Sequence, residues 1–106
     1  MSTAELFFAL GDETRLAVLA QLGEGPASIV RLTQGQALSR PPLSRQALTK
    51  HLHVLEKAGL VRHERAGRET LWALQSRRLD AARAYLDEMS RQWDDRLERL
   101  KTLVEG

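Results

Sequence analysis

The 106-residue chain predicts a mostly α-helical domain with one small β-hairpin and a long closing helix. Three observations carry this expectation. Apolar residues recur at helical spacing in stretches separated by glycine and proline. The period shortens to that of strands after Gly59. Residues 78–104 then contain neither Gly nor Pro.

The first helix is expected over residues 3–10, TAELFFAL, with Leu6, Phe7 and Leu10 on one side. Gly11 ends it. Asp12 can cap a second helix, because its carboxylate can accept from free backbone N–H groups. That helix should reach Leu22 and bury Leu16, Leu19 and Ala20. Gly23-Glu24-Gly25-Pro26 breaks it. A third helix is expected from Ala27–Ser28, with Ile29, Val30 and Leu32 inward. Its end merges into a loop over Gln36–Leu43, where Pro41-Pro42 cannot sit inside a helix. Leu38-Ser39-Arg40 and Leu43-Ser44-Arg45 repeat one another across the prolines. Ser44 is the expected cap, since the prolines stop any helix begun at Ser39.

The fourth helix, Ser44 to Ala58, is the most regular. Leu48, Leu52 and Leu55 form one apolar stripe, and Gly59 supplies the stop. Leu60, Val61, Thr70, Leu71 and Trp72 suit two short strands around a turn at Ala66-Gly67. On the long helix, residues 78–104, Leu79, Leu86, Trp93 and Leu100 recur every seven residues. Ala82, Met89 and Leu103 fall on the adjoining heptad position, which Arg96 interrupts. Leu97 and Val104 widen the stripe. A helix of this length spans about 40 Å, more apolar face than so small a domain covers by itself, so a second copy is expected against it.

Residues 1–106 are read as a single domain. No apolar run approaches the roughly 18 residues needed to cross a bilayer, and no basic-apolar leader opens the chain. There is no cysteine, hence no disulfide and no thiolate metal site. These features suit a cytoplasmic protein with no membrane contact. There is no glycine-rich phosphate loop and no recognisable nucleophile–base spacing, so neither a cofactor nor enzymatic activity is expected.

The net charge of +2 is unevenly placed. Residues 36–78 hold nine Lys/Arg against Glu56, Glu64 and Glu69, an excess of six, whereas residues 1–35 and 79–106 each carry an acidic excess of two. A concentrated basic segment is what a phosphate-facing surface requires. Within it the fourth helix has two unlike sides. Opposite the leucine stripe lie Gln46, Thr49, Lys50 and His53, with Arg45 at the edge. Gln can pair with adenine, Arg or Lys with guanine, and Thr with a base or a phosphate. Arg62, Arg65 and Arg68 flank the hairpin turn and can follow the neighbouring backbone or minor groove. The arrangement is that of a winged helix-turn-helix, with residues 44–58 in the major groove of double-stranded DNA and residues 61–74 as the wing. The alternative is a winged-helix module that binds a protein partner without reading DNA sequence.

Of the three histidines, His51 points to the edge of the leucine stripe and is read as a half-buried packing and capping group. His63 is read as exposed on the first strand. His51 and His53, two apart, cannot form a metal pair on a helix. Tyr85 and Trp93 fit a buried seam between two copies, which is also where a hydrophobic effector could bind.

The segments LGDETRLAVLAQL, SRQALTKHLHVLEKAGLV and GRETLWAL resemble the matching segments of the ArsR family of winged-helix transcriptional repressors. The resemblance runs from Leu6 to Leu103. It implies a homodimer joined by the first and last helices, which puts Leu6 and Phe7 beside Leu86, Met89, Trp93, Leu97 and Leu100 at the interface. It also implies an imperfect palindromic operator, release by an effector, and base or phosphate contacts at Arg45, Gln46, Thr49 and Lys50. Two features depart from the family. The loop before Ser44 is several residues longer than the usual turn. The cysteines or C-terminal histidines of the metal-sensing branches are absent, and Asp87, Glu88, Asp94 and Asp95 read as solvated charges, so no metal site is expected.

Overall fold

The structure, a computed structural model, describes residues 2–35 and 43–105. Helix α1 (Thr3–Leu10) starts where Ser2 Oγ accepts from the Glu5 N–H at 3.1 Å. Helix α2 (Glu13–Leu22) starts where Asp12 Oδ2 accepts from the Arg15 N–H at 2.9 Å. Both carry apolar residues on several sides, so packing decides which face is buried. In α2 the inward residues are Arg15, Val18, Leu19 and Leu22. Leu16 and Ala20, expected inside, face outward.

A two-residue strand, β1 (Ala27–Ser28), stands where the sequence suggested the start of the third helix. Helix α3 (Ile29–Gly35) follows, and Ser28 Oγ accepts from the Arg31 N–H at 3.2 Å. Leu32 is fully buried and Ile29 packs on the core, but Val30 is exposed. The expected end of this helix in the Gln36–Leu43 loop, the first Leu-Ser-Arg and the proline pair lie outside the described residues.

Helix α4 (Arg45–Lys57) has Ser44 as its cap, whose Oγ accepts from the Ala47 N–H at 3.1 Å. Leu48, Leu52 and Leu55 are each 0% exposed, a burial contributing about 2 kcal/mol per side chain. The helix stops as expected. Gly59 takes φ +75°, and the Leu60 N–H donates back to Leu55 O at 3.0 Å, the hydrogen bond of a glycine-terminated helix.

Leu60 is buried just ahead of strand β2 (Val61–Ala66), which pairs antiparallel with β3 (Glu69–Leu74). Ala66 is opposite Glu69, so the turn is Gly67-Arg68, one residue later than Ala66-Gly67. Gly67 supplies the φ of +63° that the tight turn needs. β1 pairs with the other edge of β3, Ala27 facing Trp72, and the sheet order is β1-β3-β2. Trp72 is buried and fastens the sheet to the helices.

Helix α5 (Ser76–Glu105) has 30 residues, about 45 Å at 1.5 Å per residue. Its first turns pack on the core through Leu79 and Ala82. Phe7 of α1 meets Tyr85 with ring centres 5.4 Å apart. Beyond that contact Leu86, Met89, Trp93, Leu97, Leu100, Leu103 and Val104 are exposed. None of the helices among the described residues is long and apolar enough to cross a membrane.

Candidate nucleic-acid interface

The buried leucines of α4 leave its other side to solvent. Arg45, Gln46, Lys50 and His53 are exposed there. Thr49 is half-buried, and its Oγ1 donates to the Arg45 carbonyl at 2.7 Å. Its hydroxyl proton is therefore turned into the helix, and only its lone pairs and methyl face outward.

The three wing arginines are all exposed but do not form one cluster. Side chains alternate across a strand. Arg62, three positions from Arg65, lies on the opposite face of β2. Arg65 stays at the tip, where its Nε donates to Gly67 O at 3.3 Å. Arg68 stands in the turn itself, so Arg65 and Arg68 both belong to the wing tip, while Arg62, opposite Ala73, lies nearer its base.

The free side of α4 is joined to the wing by contacts that sequence patterns do not show. His63 Nδ1 lies 2.5 Å from Glu56 Oε2, linking β2 to α4. The His63 ring packs on Trp72 at 4.9 Å between centres, and His53 approaches the same indole at 6.1 Å. Glu56 carried no signal in the sequence, because a carboxylate on a helix surface is ordinarily solvated.

His51 is half-buried, as expected, against the junction of α1 and α2. Its Nδ1 lies 3.2 Å from Arg15 Nη1 and 3.8 Å from Asp12 Oδ2. The Arg15 N–H at the cap, more than the Arg15 charge, holds the Asp12 carboxyl below its ordinary value. The two helical histidines point to different sides. No three His, Cys, Asp or Glu among the described residues converge on a common point where a metal could sit.

One expected interface residue is corrected. Leu6 is 2% exposed, inside the chain's own core, while its neighbour Phe8 is 68% exposed. Helix α1 carries Leu6, Phe7 and Phe8 in succession, on different sides, so composition could not say which of them faced out. Phe7 is half-buried against Tyr85. On α5, Trp93 is exposed with the Arg96 guanidinium 5.4 Å above its ring.

Comparison with known proteins agrees with this geometry. Residues 10–64 match the family model described as a helix-turn-helix domain. The ArsR-like transcriptional regulator from Rhodococcus sp. RHA1 superposes with a TM-score of 0.76 at 36% identity, covering 94% of this chain and 90% of that one.

The chain belongs to the ArsR family of helix-turn-helix transcriptional regulators.

Two further relatives support the same assignment. The HTH-type transcriptional regulator Rv2034 of Mycobacterium tuberculosis is 37% identical over 79 residues, 74% of this chain and 69% of that protein. The HTH-type transcriptional repressor SmtB of M. tuberculosis is 32% identical over 94 residues, 89% of this chain and 64% of that repressor. As an ArsR-family member the chain is a DNA-binding transcriptional regulator, not the protein-interaction module that its sequence alone allowed. Its winged helix-turn-helix fold and long C-terminal helix are those of the family.

Proposed function

We propose that this ArsR-family regulator is a homodimeric repressor of a palindromic operator, with residues 44–58 in the major groove and the wing, residues 61–74, on the flanking backbone or minor groove. One observation carries the reading. α4 buries Leu48, Leu52 and Leu55 completely and presents Arg45, Gln46, Lys50 and His53 on its free side. Gln46 and Arg45, at the N-terminal end, read base edges. Lys50 reads guanine or holds a phosphate, and Thr49 contributes its methyl or a lone pair. His53, Arg62, Arg65 and Arg68 anchor the backbone. Dimerisation is supported by the exposed stripe Leu86, Met89, Trp93, Leu97 and Leu100 on α5, with Phe7 against Tyr85 at its α1 end. A small organic effector acting at that seam fits the same scheme, and the protein works in the cytoplasm.

Selection of bound sequences from random duplex DNA tests the proposal. The expected product is a palindrome with half-sites about one helical turn apart, bound less tightly as salt rises. Recovery of no preferred sequence, or of a single half-site, contradicts it.

A further inference from the structure

Past the buried Ala82, every described residue of α5 faces solvent. Its seam side chains stand in two rows. Leu86, Trp93 and Leu100 form one; Met89, Arg96 and Leu103 form the other, with Leu97 and Val104 on the flank. Exposure climbs from 50% at Leu86 to 78% at Leu103 and 86% at Val104, so the chain's own core does not cover the distal end. With Tyr85, these apolar side chains approach the roughly 800 Å² per partner that a stable interface buries. Arg96 is the one charged residue in either row. Its guanidinium lies 5.4 Å from the centre of the Trp93 ring, three residues back on the same helix face.

We propose that Arg96 fixes how two copies of α5 pair: antiparallel, with each Arg96 on the indole face of the partner's Trp93. The proposal rests on the reading of this stripe as the dimer seam. In a parallel pair like rows meet, which sets Arg96 against the partner's Arg96, two cations in a desolvated seam. In an antiparallel pair each row meets the other row of the second copy. The cation then faces an aromatic ring, which attracts it.

The register follows from where the chain's own cover ends. Pairing about the point between Asp94 and Asp95 sets Leu86 against the partner's Leu103 and Met89 against the partner's Leu100. The same register sets Arg96 against the partner's Trp93, and each contact occurs twice. Sliding the second copy one heptad inward drives the partner's Leu100 onto Ala82, which the domain's own core already seals. Sliding it one heptad outward leaves Leu86 and Met89 facing nothing, because the helix ends at Glu105. The middle register also brings the partner's Val104 level with Tyr85, where Phe7 packs. The tip of one helix thus closes the α1 end of the other domain's seam.

Disulfide trapping in the full chain tests this, since the sequence has no cysteine of its own. Leu86 and Leu103 are exposed, so cysteine at either should leave the circular dichroism spectrum unchanged. The double variant Leu86→Cys with Leu103→Cys should form a covalent dimer under mild oxidation, read on a non-reducing gel. Leu103→Cys alone should not, because antiparallel pairing holds its two copies about 25 Å apart. Adding Arg96→Leu to Leu103→Cys fills the interrupted row with an apolar residue and admits the parallel pair. Its yield of covalent dimer should rise at least about fivefold. A covalent dimer of Leu103→Cys with Arg96 in place shows parallel pairing and overturns the proposal. An unchanged yield with Arg96→Leu also overturns it, since orientation would then be set by other contacts. A protein that is dimeric by light scattering but links neither cysteine variant overturns the register. A protein that is monomeric by light scattering defeats the seam itself, and the proposal with it.

Discussion

His63 donates from Nδ1 to the Glu56 carboxylate at 2.5 Å, so the first wing strand is tied directly to the helix proposed to read DNA. Both side chains are partly solvated, at 50% and 33% exposure. The bond should therefore contribute little to global stability, about 0.5 kcal/mol, while still fixing the angle of the wing. His63→Ala and Glu56→Gln should each weaken operator binding about two- to threefold, and the double variant no further. A double-mutant cycle by anisotropy measures this coupling. Independent, additive losses would show that the bond does not position the wing.

Base contacts and phosphate contacts should separate by their salt and sequence dependence. Gln46→Ala should relax preference at one position of the half-site, by about 1–3 kcal/mol, and leave the salt slope unchanged. Arg65→Ala and Arg68→Ala should weaken every duplex alike and flatten the slope of log K against log salt by about one unit each. Competition binding across single-substitution duplexes at several salt concentrations reads both quantities.

The exposed stripe on α5 should be the dimer seam. Leu86→Asp with Leu100→Asp places two carboxylates in it and should yield monomers by light scattering, with operator affinity falling at least about a hundredfold as the two half-sites lose their linkage. A double variant that stays dimeric would move the interface elsewhere.

Acid stability should carry the signature of Asp12. Its carboxyl is held below the ordinary 3.8 chiefly by the Arg15 N–H at the α2 cap. A depressed folded-state value contributes stability that is present above the unfolded value and lost as pH falls through the folded one. Asp12→Asn should therefore be modestly less stable than wild type at neutral pH, and the gap should close below about pH 4. Urea denaturation across that range measures it. A gap that persists at the acid end would place the stabilisation in packing rather than in charge.

Elements set by local chemistry were legible in the sequence. Ser44, the Leu48-Leu52-Leu55 spacing, Gly59 and Gly67 each act within a few residues of themselves, so α4, its stop and the presence of a hairpin followed directly, although its turn lies one residue later than expected. Elements set by distant partners were not. β1 is two residues long, too short for any alternation, and exists because Trp72 and Leu71 lie opposite it. The buried side of α2 is not legible in the sequence, because the exposed Leu16, Ala17 and Ala20 are as apolar as the residues packed inside. At the candidate site, the exposed polar residues of α4 could be placed by helical angle alone. The roles of Arg15 and Glu56 required a folded chain, since each depends on a residue from another element.

The two tryptophans give this protein a pair of native optical reporters. Trp72 is sealed between the sheet and α4, and Trp93 stands in the open on α5. The first should emit to the blue and shift only when the domain melts. The second should emit to the red and be quenched by iodide until a partner covers it. Folding and assembly can thus be followed separately in one unlabelled sample, with Trp72→Phe or Trp93→Phe isolating either signal.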